Sequence, residues 1–178
     1  LKCISAGEVR LNGQKVSPFQ TLKSRDTISY ERPRENEPQI DDRYQILYRD
    51  DSIVVVEKSG NLPISESGRY YRNTLINIMK ERDGFLELYA VHRLDKDTSG
   101  IIVAAKDPEA LQMLAAQFAR KKVRKVYLAV VKGHVQNSRG IIEHPIARDP
   151  HHRKRFTWRR AEGRTAFTQY RVLRYLRN

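Results

Sequence analysis

The stretch His92-Arg93-Leu94-Asp95-Lys96-Asp97-Thr98-Ser99-Gly100 joins two apolar segments. Residues 88–91 read as a strand entering it, and Ile101-Ile102-Val103-Ala104-Ala105 as a strand leaving it. Between them, Asp95, Asp97, Thr98 and Ser99 are side chains that bond their own backbone, and Gly100 tolerates a strained conformation, so the residues spell a tight turn. Turn chemistry by itself accounts for that composition. The functional alternative is a carboxylate, Asp95, two residues from a guanidinium, Arg93, whose charge favours the ionised form. A carboxylate presented on a rigid turn can act as a nucleophile or as a base.

Outward from the turn, Asp107-Pro108 is a helix start, because Asp accepts from unpaired N–H groups and Pro suits the first helical position. The helix is expected to reach about Arg120 and to bury Leu111, Leu114, Ala115 and Phe118. Strand-like segments follow at 124–131, 141–146 and 164–175, with a cationic loop from His151 to Arg160. Upstream lie Ile46-Leu47-Tyr48, an Asp50-Asp51 turn, a strand over 52–58, a loop over 60–72 and a short helix through Leu75, Ile76, Ile78 and Met79. Residues 1–30 read as a helix end at Gly7, then short strands at 9–11, 15–16 and 27–30, with Asn12-Gly13 as a two-residue hairpin turn. Residues 31–43 are polar, contain Pro33 and Pro38, and lack apolar periodicity; the expected domain boundary falls there, leaving 44–178 as the larger domain. The pattern predicts an α+β fold with a mixed, mostly antiparallel sheet, helices packed on it, and the turn in a basic cleft.

Lys and Arg number 34 against 21 Asp and Glu, a formal charge of +13, which attracts polyanions and displaces counterions from phosphates. RNA or DNA is the first partner to consider. No segment approaches the roughly 20 apolar residues of a spanning helix, so a membrane partner is not expected. Cys3 is the single cysteine and cannot form an internal disulfide, which suits a reducing compartment. A cytoplasmic location is expected, with an organelle left open, since the chain opens at Leu1 without a methionine and an N-terminal segment is expected to be missing. His151 and His152 lack a cysteine or acidic cluster at ligand spacing, and no metal is expected. Within the cationic loop, Arg153, Lys154 and Arg155 are interleaved with Phe156 and Trp158, a combination suited to phosphate contact and base stacking.

The run His92 to Gly100 resembles the signature of the RluA family of pseudouridine synthases, His-Arg-Leu-Asp-x-x-Thr-Ser-Gly. Two further motifs follow in order: Lys125-Val126-Tyr127-Leu128-Ala129-Val130-Val131-Lys132-Gly133 resembles Lys-x-Tyr-x-Ala-x-Val-x-Gly, and Gly163 to Tyr170 resembles an Ala-x-Thr-x-Tyr strand. The resemblance implies an enzyme that isomerises uridine within ribosomal or transfer RNA, with base flipping and no cofactor. Asp95 would be the catalytic carboxylate, attacking C1′, adding to C6 or deprotonating C2′; these alternatives stay open. Tyr127 would be the active-site tyrosine, stacking on the flipped base. Arg93 would occupy the space the extruded nucleotide leaves, or contact a phosphate. His92 is read as a structural support. In the family the catalytic domain continues past the strand near Tyr175 into a motif with a basic partner for the aspartate, so this chain is expected to be C-terminally incomplete and of doubtful activity alone.

Residues 4–16 and 26–28 resemble the second half of an S4 RNA-binding domain, with Arg25 where glycine is usual. On that resemblance Lys15, Lys23 and Arg25 would hold RNA phosphates without reading bases. The rival reading is a non-catalytic RNA-binding protein on the same scaffold; a glycosidase is disfavoured for want of a second carboxylate with a role. No obligate protein partner is evident.

Overall fold

Residues 2–31, 37–152, 155–158 and 162–176 are described by the structure, a computed structural model. Its internal contacts divide the chain into two compact units, Leu1–Arg124 and Lys125–Asn178. The stretch 31–43 falls inside the first of them.

In the first unit, a single helical turn, α1 (Lys2–Ser5), stops at Gly7, whose left-handed φ of +74° suits glycine. Strands β1 (Val9–Leu11) and β2 (Gln14–Lys15) flank Asn12 and Gly13, which take φ of 51° and 81°, as a two-residue hairpin turn demands. With β3 (Ile28–Tyr30) on the other edge, the sheet order is β2-β1-β3. The second strand starts one residue before the predicted position.

A four-stranded sheet follows, built from β4 (Tyr44–Arg49), β5 (Ile53–Lys58), β6 (Tyr89–Ala90) and β7 (Gly100–Ala105), in the order β4-β5-β7-β6. Asp50 closes the first hairpin by accepting from the N–H groups of Ser52 and Ile53 at 2.9 and 2.8 Å. Between β5 and β6 lies α2 (Leu75–Asp83). The buried side chain of Thr74 accepts from Asn77 N–H at its start, and Gly84, at φ 70°, ends it. Val54 and Val56 of β5, and Ile102 and Ala104 of β7, stand two residues apart on one face of the sheet. They pack with Leu75, Ile76, Ile78 and Met79 of α2 to form the core. Burying each of the larger side chains contributes about 1.5–3 kcal/mol.

The third helix, α3 (Pro108–Ala119), starts as predicted: Asp107 accepts from Ala110 N–H at 2.8 Å, with Pro108 in the first turn. Its predicted inward face is only half-buried. Leu111, Leu114, Ala115 and Phe118 all keep partial exposure, because α3 meets the sheet at its narrow β6–β7 side. Phe118 stacks on His92 with ring centroids 4.5 Å apart.

In the second unit, β8 (Arg139–Arg148) pairs with β10 (Arg164–Arg171) from Arg139↔Arg171 to Ile146↔Arg164, while β9 (Phe156–Thr157) pairs with the far end of β8. The strand predicted to reach 175 ends at Arg171, yet Tyr175 stays tied to the hairpin. Its ring stacks on His134 and its hydroxyl donates to Val135 C=O at 2.8 Å. No described residue of this unit is buried.

Two expectations are corrected. Every described pairing is antiparallel, in three separate sheets rather than one mixed sheet, since strand direction is set by connections that side-chain alternation does not encode. Residues 124–131 form no strand among the described residues; Val126, Leu128 and Val130 are 81, 84 and 85% exposed. Alternation marks a segment fit for pairing, but a strand exists only where a neighbour supplies the hydrogen bonds.

Candidate active site

The turn between β6 and β7 is held from below. Lys58 continues the inward series Val54, Val56 on β5 and is fully buried, and its ammonium donates to the backbone oxygens of Ser59 at 2.9 Å and Lys96 at 3.1 Å. The Lys96 carbonyl also accepts from Leu62 N–H at 3.0 Å. At Gly60 a Cβ would lie 3.1 Å from the Asp97 carbonyl, so a larger residue would press on the turn. Lys96 crosses to Asn61 Oδ1 at 2.6 Å and to Asp97 at 2.8 Å. Inside the turn Thr98 N–H donates to Asp95 C=O at 3.1 Å, and Gly100 leaves it at φ 130°, a conformation side chains avoid.

His92 anchors the other end. Its Nε2 accepts from Val103 N–H at 3.1 Å while its ring stacks on Phe118, so the structure gives it the supporting position expected of it. Accepting through Nε2 requires that nitrogen to be unprotonated.

Asp95 and Arg93 are both exposed in this rigid turn. No ion pair joins them among the described residues, which corrects the expectation that the Arg93 guanidinium steadies the Asp95 charge. Arg93 instead lines a cavity of about 560 Å³ together with Leu94 and Lys96, and Asp95 is not part of its wall. The exposed Asp95 carboxylate makes no side-chain hydrogen bond among the described residues. Such a group is free to attack an electrophilic carbon or to accept a proton.

Tyr127 belongs to the second unit, in the unpaired segment, and is 61% exposed. Of the N-terminal cations, Lys15 is on β2, with its side chain packed against Gly7. Lys23 and Arg25 flank a turn capped by Asp26, which accepts from Lys23 N–H at 2.7 Å and from Asn12 Nδ2 at 2.9 Å. Those two bonds, the backbone one first, lower the Asp26 pKa. Arg25 takes φ 76°, a backbone conformation that usually falls to glycine. Arg155 is exposed, and its C=O accepts from Asp149 N–H at 3.0 Å. Arg153 and Lys154 lie outside the described residues. Among the described residues no group of His, Cys, Asp and Glu is arranged to hold a metal, and no helix is long and apolar enough to cross a membrane.

Sequence reasoning missed Lys58 and Gly60. A lysine at the inward position of a strand whose other inward residues are valines was the available signal.

The model of the family described as RNA pseudouridylate synthase matches residues 52–178. An Aquifex aeolicus protein named an uncharacterized RNA pseudouridine synthase is 38% identical over 191 aligned residues, covering 97% of this chain and 58% of that protein. The ribosomal large subunit pseudouridine synthase D of Borreliella burgdorferi is 36% identical over 137 residues, covering 72% of this chain and 42% of that one. A mitochondrial tRNA pseudouridine(32) synthase of Saccharomyces cerevisiae is 28% identical and covers 82% of this chain and 31% of its own. Among solved structures, human RNA Pseudouridylate Synthase Domain Containing 1 superposes with a TM-score of 0.57 at 27% identity, over 75% of this chain and 51% of that one. The chain spans about half the length of the curated relatives it matches.

Proposed function

Because the chain belongs to the RNA pseudouridylate synthase family, we propose that it isomerises uridine to pseudouridine within ribosomal or transfer RNA, with Asp95 as the reacting carboxylate. The single observation that carries this reading is the pinned turn: Asp95 is exposed, with no ion-pair partner among the described residues, on a backbone fixed by Lys58, Gly60 and His92. Pre-positioning of that kind removes much of the entropic cost of bringing a reactive group to its target.

In the proposed reaction the C1′–N1 bond breaks, the uracil turns, and C1′ joins C5. The hydrogen leaving C5 is matched by one gained at N1, so the product is an isomer and no co-reactant is consumed. Attack at C1′, addition at C6 and deprotonation at C2′ each use one ionised carboxylate. Tyr127 is assigned to stack on the turned base, and Arg93 to contact RNA where the nucleotide leaves its stack. Lys15, Lys23 and Arg25, on a partial S4-like segment spanning residues 1–30, are assigned to hold phosphates, as are Arg153, Lys154 and Arg155. The helical turn, hairpin and third strand at the N-terminus support that assignment, as does the net charge of +13.

The test is Asp95→Asn in the full-length protein. Amide replaces carboxylate at nearly constant shape, so RNA binding is expected to persist while pseudouridine formation is abolished. Mapping pseudouridine in cells that carry only the variant reads the outcome; undiminished modification would remove Asp95 from the chemistry.

A further inference from the structure

The cavity beside Arg93 has a second wall that the reading above does not use. Ser67 and Tyr70 exchange backbone hydrogen bonds, each 3.0 Å long, and close a two-residue turn made of Gly68, at φ 57°, and Arg69. The chain after this turn is held rigidly: the Glu37 carboxylate accepts from the N–H groups of Tyr71, Arg72 and Asn73 at 3.1, 2.8 and 2.8 Å. Arg69 and Arg93 both line the cavity, and neither has an ion-pair partner among the described residues. Of the other charged groups there, Lys96 is engaged by Asp97, and Glu66 accepts from Asn77 Nδ2 at 3.4 Å. The remaining wall includes the half-buried Leu94, backed by the buried Pro63 and Ile64, an apolar floor for a sugar or a base.

Two unpaired guanidiniums on fixed backbones make a site for a bidentate anion, and a phosphodiester fits the fork of an arginine. The volume, about 560 Å³, lies within the range of small-ligand sites. Arg93 is two residues from Asp95, so their Cα atoms are within about 7 Å of each other. A nucleotide next to one held at Asp95 is therefore within reach of this cavity. Resting on the proposed RNA chemistry, we propose that the cavity holds the nucleotide flanking the target uridine, its phosphodiester on Arg69 and Arg93 and its sugar and base against Pro63 and Leu94. Arg69 is thereby an RNA-positioning residue that sets the register of the strand at the turn.

The experiment uses the full-length protein, with a short labelled oligouridylate as probe, titrated at several salt concentrations. Arg69→Ala, which removes an exposed side chain with no partner among the described residues, is expected to weaken binding and to lower the salt slope by about 0.7, the loss of one single-strand phosphate contact. Arg69→Lys is expected to restore the slope. In a second arm, single linkages of the oligomer are replaced by neutral methylphosphonate. One linkage is expected to be sensitive with the wild type and insensitive with Arg69→Ala. An unchanged slope, or a sensitivity pattern identical in both proteins, overturns the proposal. Pseudouridine formation by a protein indifferent to Arg69 would sink this site alone, whereas an Arg69-dependent linkage with no pseudouridine formed would sink the enzymatic reading alone.

Discussion

Lys58 follows Val54 and Val56 on the inward side of β5, where an ammonium is costly unless its protons find acceptors. Two backbone oxygens supply them, and desolvation still lowers its pKa, with the Asp97 carboxylate working against that effect and the Lys96 ammonium adding to it. Between the depressed value and the ordinary 10.5 the unfolded chain holds a proton that the folded chain has released, so this residue makes stability rise with pH in that interval. In Lys58→Met, of similar shape, that contribution is absent. The stability of the wild type relative to the variant is expected to grow as pH climbs towards 10.5, read from urea midpoints at a series of pH values. A constant difference would show that the buried amine does not titrate differently on folding. Asp95 could be picked out of the sequence because its motif is contiguous, whereas the support from Lys58 joins positions 38 residues apart. Only the fold brings those two together.

The segment from Gly60 to Asn73 has almost no regular structure, and its last three residues, Tyr71 to Asn73, are held by one carboxylate from another part of the chain. At Glu37, burial pushes the carboxyl pKa up, but the N–H groups of Asn73, Arg72 and Tyr71 outweigh it and leave the value below 4.5. The stabilisation is therefore complete above 4.5 and is lost as pH falls through the depressed value. An amide cannot replace an anion before three donors. Glu37→Gln is expected to cost about 1 kcal/mol locally, a partly exposed hydrogen bond to a charge, and to speed hydrogen exchange at Tyr71, Arg72 and Asn73 severalfold. The wild type should show the same acceleration in acid, after correction for intrinsic rates; unaltered exchange in the variant would mean the loop holds itself. Helices were legible at this scale because their signals are local: Asp107-Pro108 marks the start of α3, and the run Leu75, Ile76, Ile78 and Met79 marks α2. Residues 124–131 were not, because pairing depends on what lies beside a segment and not on what it contains.

At the scale of the molecule, the buried residues among those described all lie between Leu11 and Ala105, so the first unit carries the packed core while the second relies on the β8–β10 ladder. Charge pointed to a nucleic-acid partner and the order of elements to an α+β fold, but three small sheets in place of one were not legible, since alternation is the same in every antiparallel arrangement. The uncovered Val126, Leu128 and Val130 have a consequence for the protein's behaviour in concentrated solution. Apolar side chains on an unpaired segment invite contact between copies, and at low ionic strength the +13 charge keeps those copies apart. Salt screens that repulsion over about 10 Å at 0.1 M, and it also weakens phosphate contacts. Light scattering by the RNA-free protein is expected to rise with added salt over the same range in which RNA is released, so a salt wash that strips nucleic acid from this protein also brings it closer to precipitation.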